Sequence, residues 1–131
     1  MVIHAGDLVS LKVLEELKTV CPKIVVVAGN MDGADIINKF PKKIILNISG
    51  FKIGVAHGLG APQFLVDLLQ DTFRNDNCDI IVFGHSHKAM NEKIGKTIFF
   101  NPGSATDCLV QEASFGLIEI NGKITANIIK I

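Results

Sequence analysis

Short apolar runs, each ending at a glycine beside a polar side chain, constrain the fold of this chain most strongly. Residues 24–28 are Ile-Val-Val-Val-Ala, and residues 80–83 are Ile-Ile-Val-Phe. Runs of this length, rich in β-branched side chains, predict strands buried on both faces, as in parallel sheets. None approaches the roughly 20 residues that a helix needs to cross a bilayer, so the sequence predicts no membrane partner.

The length and the charge balance of the chain narrow the class of protein. Its 131 residues suit a single domain, which we expect to span residues 1–131. With 13 Lys and Arg against 13 Asp and Glu, the sequence predicts no surface for nucleic acid. Three cysteines, at positions 21, 78 and 108, form no Cys-x-x-Cys pair and follow no signal peptide. We therefore expect buried thiols and a cytoplasmic protein.

Helices are predicted between the first strands, and hairpins in the last third of the chain. Ser10 is placed to cap a helix over about residues 11–19, and Pro62 to open another that runs to about residue 74. The pair Asn121 and Gly122, between apolar alternations, is typical of a hairpin turn. Strand–helix alternation followed by hairpins predicts an α/β sheet packed against a second sheet.

Four of the apolar runs end in a glycine next to a side chain that can bind a metal ion. These side chains are Asp7, Asn30, His57 and, after one strand, both His85 and His87. Because ligands bind beyond the carboxyl ends of strands in open α/β sheets, we expect these groups to converge. Taken singly, Gly-Asp, Gly-Asn and a lone histidine are more typical of turns or hydrogen-bonded cores. The ordered set, with its mixed nitrogen and oxygen donors, favours a site for Mn²⁺, Fe²⁺, Zn²⁺, Co²⁺ or Ni²⁺.

These motifs and their flanking residues resemble the calcineurin-like metallophosphoesterases, in particular the small prokaryotic phosphodiesterase branch. The segments that carry the resemblance are residues 2–7, 28–32, 57–58, 84–87 and 101–104. The resemblance implies an α/β fold with two mixed β-sheets sandwiched between helices in four layers. It also implies a site for two divalent ions, with Mn²⁺ the first expectation. In that site Asp7 bridges both ions, Asn30, His57 and His85 complete one site, and His87 belongs to the other.

The activity that the resemblance implies is hydrolysis of a small phosphate-ester substrate by a metal-bound hydroxide. Phosphodiesters are the expected substrates, and phosphomonoesters remain open. Many relatives carry a histidine, thought to protonate the leaving group, where Met31 stands in this chain. Asp32 is therefore a candidate proton donor, although its carboxylate also suits a solvated turn.

One motif of the family has no counterpart in this chain. Family members begin with a strand that ends in Asp-x-His and completes the second metal site. We therefore expect an N-terminally truncated domain with the N-terminal strand missing, whose bared sheet edge could support a homo-oligomer. Because one metal site is incomplete, the alternative to an enzyme is a scaffold of the same fold, as in its eukaryotic vesicle-sorting branch.

Overall fold

A computed structural model describes residues 1–106 and 112–131. Its strands are β1 (Val2–His4), β2 (Ile24–Val26), β3 (Lys43–Ile48), β4 (Phe51–Ala56), β5 (Ile80–Val82), β6 (Met90–Ile94), β7 (Thr97–Asn101), β8 (Ser114–Ile120) and β9 (Ile124–Lys130). Its α-helices are α1 (Leu11–Val20), α2 (Ala34–Ile37) and α3 (Leu65–Thr72), and a 3₁₀ turn (Pro62–Phe64) leads into α3.

A five-stranded mixed sheet in the order β3-β4-β5-β7-β6 forms the centre of the molecule. Strands β4, β5 and β7 are parallel, and the outer strands β3 and β6 run antiparallel to their neighbours. All three residues of β5 are buried, as the unbroken apolar run predicts for a strand covered on both faces. Helix α3 packs on one face through a cluster that includes Leu65, Leu69 and Phe99.

Two smaller sheets form the second layer, on the opposite face of the five-stranded sheet. Strands β1 and β2 pair in parallel, and β8 and β9 form the predicted antiparallel hairpin. Both pack against the same cluster around Val55, Val82 and Phe100. Helices α1 and α2 cover the outer face of β2 through a third cluster that contains Leu14 and Ile36. The predicted α/β fold with a mixed sheet and helices is confirmed, and within the described residues the second layer consists of two separate pairs of strands.

The sequence signals at the starts of two helices can be compared with the structure. Ser10 caps α1 by accepting a hydrogen bond from the Lys12 amide at 3.2 Å, as predicted. The helix predicted from Pro62 to about residue 74 begins instead as a 3₁₀ turn and ends at Thr72. Cys78 is buried and Cys21 is partly buried, whereas Cys108 lies outside the described residues. Among the described residues, no helix is long and apolar enough to span a membrane.

Candidate metal centre

The strand ends bring four of the predicted ligands together. Asp7 and Asn30 follow the parallel strands β1 and β2, and His57 and His85 follow the parallel strands β4 and β5. The carboxyl ends of these strands therefore meet at one edge of the molecule.

Buried His57 lies at the centre of the group, with 4% of its surface exposed. Its Nε2 is 3.2 Å from Asp7 Oδ2 and 3.0 Å from Asn30 Oδ1. The same Asn30 oxygen lies 2.8 Å from His85 Nδ1. Neighbouring ligands of an octahedral ion with bonds of ~2.1 Å are about 3 Å apart, so these separations fit donors that share one cation.

The hydrogen bonds on the far side of each ring indicate which nitrogen faces this group. His57 Nδ1 is 2.7 Å from the Ala5 carbonyl oxygen, and His85 Nε2 is 2.8 Å from the Gly60 carbonyl oxygen. When these nitrogens carry the proton and donate it, the opposite nitrogens present lone pairs to Asn30 Oδ1. The lone pairs of the two ring nitrogens then face the lone pairs of Asn30 Oδ1, and these repel each other. A divalent cation between them would remove this repulsion, because all three atoms could coordinate it. The donor set therefore fits a metal ion.

Two glycines allow the loops to approach this closely. A Cβ on Gly6 would overlap the His57 ring, and a Cβ on Gly29 would overlap Oδ1 and the backbone nitrogen of Asp7. Gly6 also has a φ of 95°, which favours glycine. The glycines that precede Asp7 and Asn30 are thus required by packing around the donors.

Two backbone amides hold the side chain of Asp32 in place. It is buried, its Oδ1 accepts a hydrogen bond from the Val9 amide, and its Oδ2 accepts one from the Gly29 amide, both at 2.7 Å. Both carboxylate oxygens are therefore engaged in holding the loop after β1 against the loop after β2. The structure thus gives Asp32 a positioning role, and the catalytic role predicted from the sequence stays a prediction.

Asn101, at the end of β7, supports the loop that carries His85. The side chain of Asn101 is fully buried, and its Nδ2 donates to the Gly84 carbonyl at 2.8 Å and to Ser86 Oγ at 3.1 Å. The Gly103 amide in turn donates to Asn101 Oδ1 at 2.9 Å. Sequence reasoning gave this position only by resemblance, because nothing in the local pattern indicates partners 15 to 17 residues away.

His87 stands apart from the four convergent residues. It is exposed, and it forms no hydrogen bond or ion pair with a described residue. Within residues 1–106 and 112–131, no group of three or more His, Cys, Asp or Glu side chains is arranged to hold a metal ion. The cluster around His57 depends on an amide oxygen, that of Asn30, to link its two imidazoles.

His4 lies beneath the site. Its Nδ1 is buried without a hydrogen-bond partner among the described residues. Burial lowers the pKa of His4 below the ordinary value of 6.5, although the charges of Asp32 and Asp7 oppose the shift. His4 is therefore a neutral ring packed under the site.

Comparisons with known proteins identify the family of this chain. Residues 1–123 match the model of the calcineurin-like phosphoesterase superfamily domain. A probable metallophosphoesterase of Methanothermobacter thermautotrophicus is 31% identical over 99% of this chain and 75% of its own length. The chain belongs to the calcineurin-like phosphoesterase superfamily, whose members generally use divalent metal ions.

Two further relatives differ in what their names say of them. A phosphodiesterase of Methanocaldococcus jannaschii is 26% identical over 93% of this chain and 77% of its own length. The crystal structure of Vps29 from Entamoeba histolytica, complexed with Zn²⁺, aligns with a TM-score of 0.73 at 26% identity, covering 98% of this chain and 80% of that one. Across four curated relatives, the chain spans between 55% and 77% of their length.

Proposed function

We propose that this protein is a divalent-metal-dependent phosphodiesterase. Asp7, Asn30, His57 and His85 would hold one cation, and His87, with Asp7, would contribute to a second. The observation that carries the proposal is the chain of contacts from Asp7 through His57 and Asn30 to His85, at 2.8 to 3.2 Å. Mn²⁺ is the metal that we expect, and Zn²⁺, Fe²⁺, Co²⁺ and Ni²⁺ suit the same donors.

A divalent cation in this site would supply positive charge to the phosphoryl oxygens and make water more acidic. The protein's own residues orient the donors. The Ala5 and Gly60 carbonyls hold the tautomers of His57 and His85, and Asn101 fixes the loop that carries His85. The single arginine of the chain, Arg74, is exposed and paired with Asp71, so it does not contribute a phosphate clamp at the site.

Proton donation to the leaving group is the weak part of this site. Met31 is 68% exposed and has no proton to donate, and both oxygens of Asp32 are held by backbone amides. Esters whose alcohol leaves readily without protonation should therefore react fastest. The name of the Methanocaldococcus relative supports the choice of phosphodiesters.

Hydrolysis of bis-p-nitrophenyl phosphate in the presence of Mn²⁺ tests the proposal. Replacing a metal ligand should cost more than the 10- to 100-fold loss typical of its outer hydrogen-bond partners, so His85→Ala should lower kcat/KM by about 100-fold or more. The same variant should lower the bound Mn²⁺ measured by elemental analysis. Lys96→Ala, in the turn between β6 and β7 at the opposite end of the sheet, is the matched control and should retain both.

The scaffold alternative makes the opposite prediction in the same experiment. It is supported by the likeness to Vps29. A protein that serves only in assembly would show no turnover above that of His85→Ala. That result, with unchanged metal content in the variant, would overturn the phosphodiesterase proposal.

A further inference from the structure

A cavity of about 350 Å³ opens directly beside the candidate metal centre. It lies between α2, α3 and the loop that follows β4, and both Asn30 and His57 form part of its wall. Its size falls within the range of ~300–1,000 Å³ that is typical of small-molecule sites. A group attached to a phosphate at the metal centre would therefore extend into this cavity.

One wall of the cavity is apolar yet exposed. Ile37 from α2, Leu59 from the loop after β4, and Leu68 from α3 line it, and they remain 42%, 63% and 40% exposed. These side chains converge from three separate segments without closing into a core. Large apolar side chains that stay exposed around a concave surface are typical of a ligand site.

The cavity also carries positive charge. Lys42 and Lys43 line it, and its lining contains no acidic residue among those that the structure describes. Lys43 Nζ is engaged by the Thr72 carbonyl at 2.7 Å and by the Asp76 carboxylate. Lys42 has no hydrogen bond or ion pair with a described residue. An ammonium without a partner on the wall of an apolar cavity is available to an anionic group on a ligand.

We propose that this cavity binds one ester group of the substrate, an aromatic or similarly apolar group that bears an anionic substituent. The apolar wall selects the body of the group, and Lys42 pairs with its negative charge. This inference rests on the proposed phosphodiesterase function, because it places the substrate phosphate beside Asn30 and His57. It defines the substrate class as anionic aryl or aryl-like phosphodiesters.

Binding of two phosphonates tests the apolar wall without any turnover. In protein loaded with Zn²⁺ and labelled at its Ile and Leu methyl groups, phenylphosphonate should bind about tenfold more tightly than methylphosphonate, given the value of apolar contacts in pockets. It should also shift the methyl resonances of Ile37, Leu59 and Leu68. Equal affinities, or shifts confined to other methyl groups, would overturn the proposal.

Matched variants locate the binding energy. Leu68→Ser on α3 and Leu59→Ser in its loop should each remove most of the preference for phenylphosphonate. Val20→Ser is the control, because Val20 is also a helical apolar residue and is 79% exposed, but it lies at the end of α1. A loss of preference in Val20→Ser equal to that in Leu68→Ser would count against the cavity.

A ligand with an added carboxylate tests the role of Lys42. A 4-carboxyphenylphosphonate should bind about threefold more tightly than phenylphosphonate, the size expected for a partly exposed ion pair. Lys42→Gln should abolish this gain, whereas Lys96→Gln should retain it. A gain that persists in Lys42→Gln would overturn the assignment of the anionic group to this lysine.

Failure of this inference and failure of the proposed function give different results. Turnover of bis-p-nitrophenyl phosphate with equal affinity for the two phosphonates would overturn the cavity assignment and leave the phosphodiesterase intact. Selective binding of phenylphosphonate, with no turnover above that of His85→Ala and unchanged metal content in that variant, would support the cavity as a binding site and overturn the phosphodiesterase.

Discussion

Two ends of the molecule use left-handed backbone conformations for different purposes. At the site end, formed by the loops after β1 and β5, Asp7, His85 and His87 have φ values of 55°, 68° and 56°. At the turn end, formed by the β3–β4 and α3–β5 connections, Ser49 and Asn77 have φ values of 50° and 53°. This conformation costs most side chains about 1–2 kcal/mol, and Asn tolerates it better.

The residues at the turn end reverse the chain and are exposed, so small polar residues suffice there. At the site end the same conformation aims the Asp7 carboxylate and the His85 imidazole at their neighbours, and contacts from distant segments hold these two side chains. Asp7 Oδ1, for example, accepts a hydrogen bond from the Met31 amide at 2.8 Å. Strain that surrounding contacts maintain is a common property of functional sites. Substitutions at the site end should therefore be much more disruptive than equivalent ones at the turn end.

The largest difference is expected between two Gly→Ala substitutions. In Gly29→Ala the new methyl would overlap Asp7, whereas in Gly50→Ala no atom lies within 4 Å and only the φ of 85° opposes the change. We expect losses in the free energy of unfolding of about 3 kcal/mol and about 1 kcal/mol respectively, measured by urea denaturation. Losses of equal size would contradict the comparison.

The next largest difference is expected between Asp→Asn substitutions at Asp32 and at an aspartate of the turn end. In Asp32→Asn, the new NH₂ group faces one of the two backbone N–H groups that donate to Asp32. Because that buried N–H loses its acceptor, the free energy of unfolding should fall by about 2 kcal/mol. Asp79 accepts a single exposed hydrogen bond, from the Lys52 amide at 2.8 Å. Asp79→Asn should therefore lower the free energy of unfolding by only about 0.5 kcal/mol. A stable Asp32→Asn protein that had lost only activity would support the catalytic role predicted for Asp32.

A stabilising substitution is expected at Val9. This β-branched residue is 66% exposed and has a φ of 63°, a conformation that Asn already occupies at position 77 of the turn end. Val9→Asn should therefore raise the free energy of unfolding by about 1 kcal/mol. The control is Val13→Asn, at an exposed position on α1, which should not raise the free energy of unfolding. Destabilisation by Val9→Asn would show that its side chain has a packing role.

The smallest effect is a pH dependence that His4 introduces at the site end. Because burial lowers the pKa of His4 below 6.5, the unfolded chain binds the proton more tightly than the folded one. The contribution of neutral His4 to stability is present above pH 6.5 and is lost as the pH falls through the lower pKa of the folded state. Urea unfolding with a chelator present should show a shallower pH dependence in His4→Asn, and no such change in the exposed control His87→Asn. An unchanged slope in His4→Asn would contradict this account.

The sequence predicted where along the chain the strands of the site lie, and it placed candidate donors at their ends, because both depend on local patterns. Buried strands appear as apolar runs, and the glycines after them place Asp7, Asn30, His57 and His85 at strand ends. The proposed participation of His87 stays a prediction, since alternation along two residues does not determine where a left-handed loop directs each ring.

The rest depends on contacts between distant segments. The Val9 amide that binds Asp32 is 23 residues away in the chain, and Lys42 and Leu68 line one cavity that only the packed helices and loops create. No spacing rule relates such positions, and a carboxylate near a catalytic motif resembles a proton donor until its partners are known. The division of the second layer into two pairs of strands is likewise a property of the packed molecule.

Anomalous diffraction from crystals grown with Mn²⁺ would test the shared cation most directly. We expect one peak about 2.0–2.3 Å from Asp7 Oδ2, Asn30 Oδ1, His57 Nε2 and His85 Nδ1. A peak that contacts only one of these atoms, or an Asn30 amide that donates hydrogen bonds to both rings with Mn²⁺ bound elsewhere, would contradict the account.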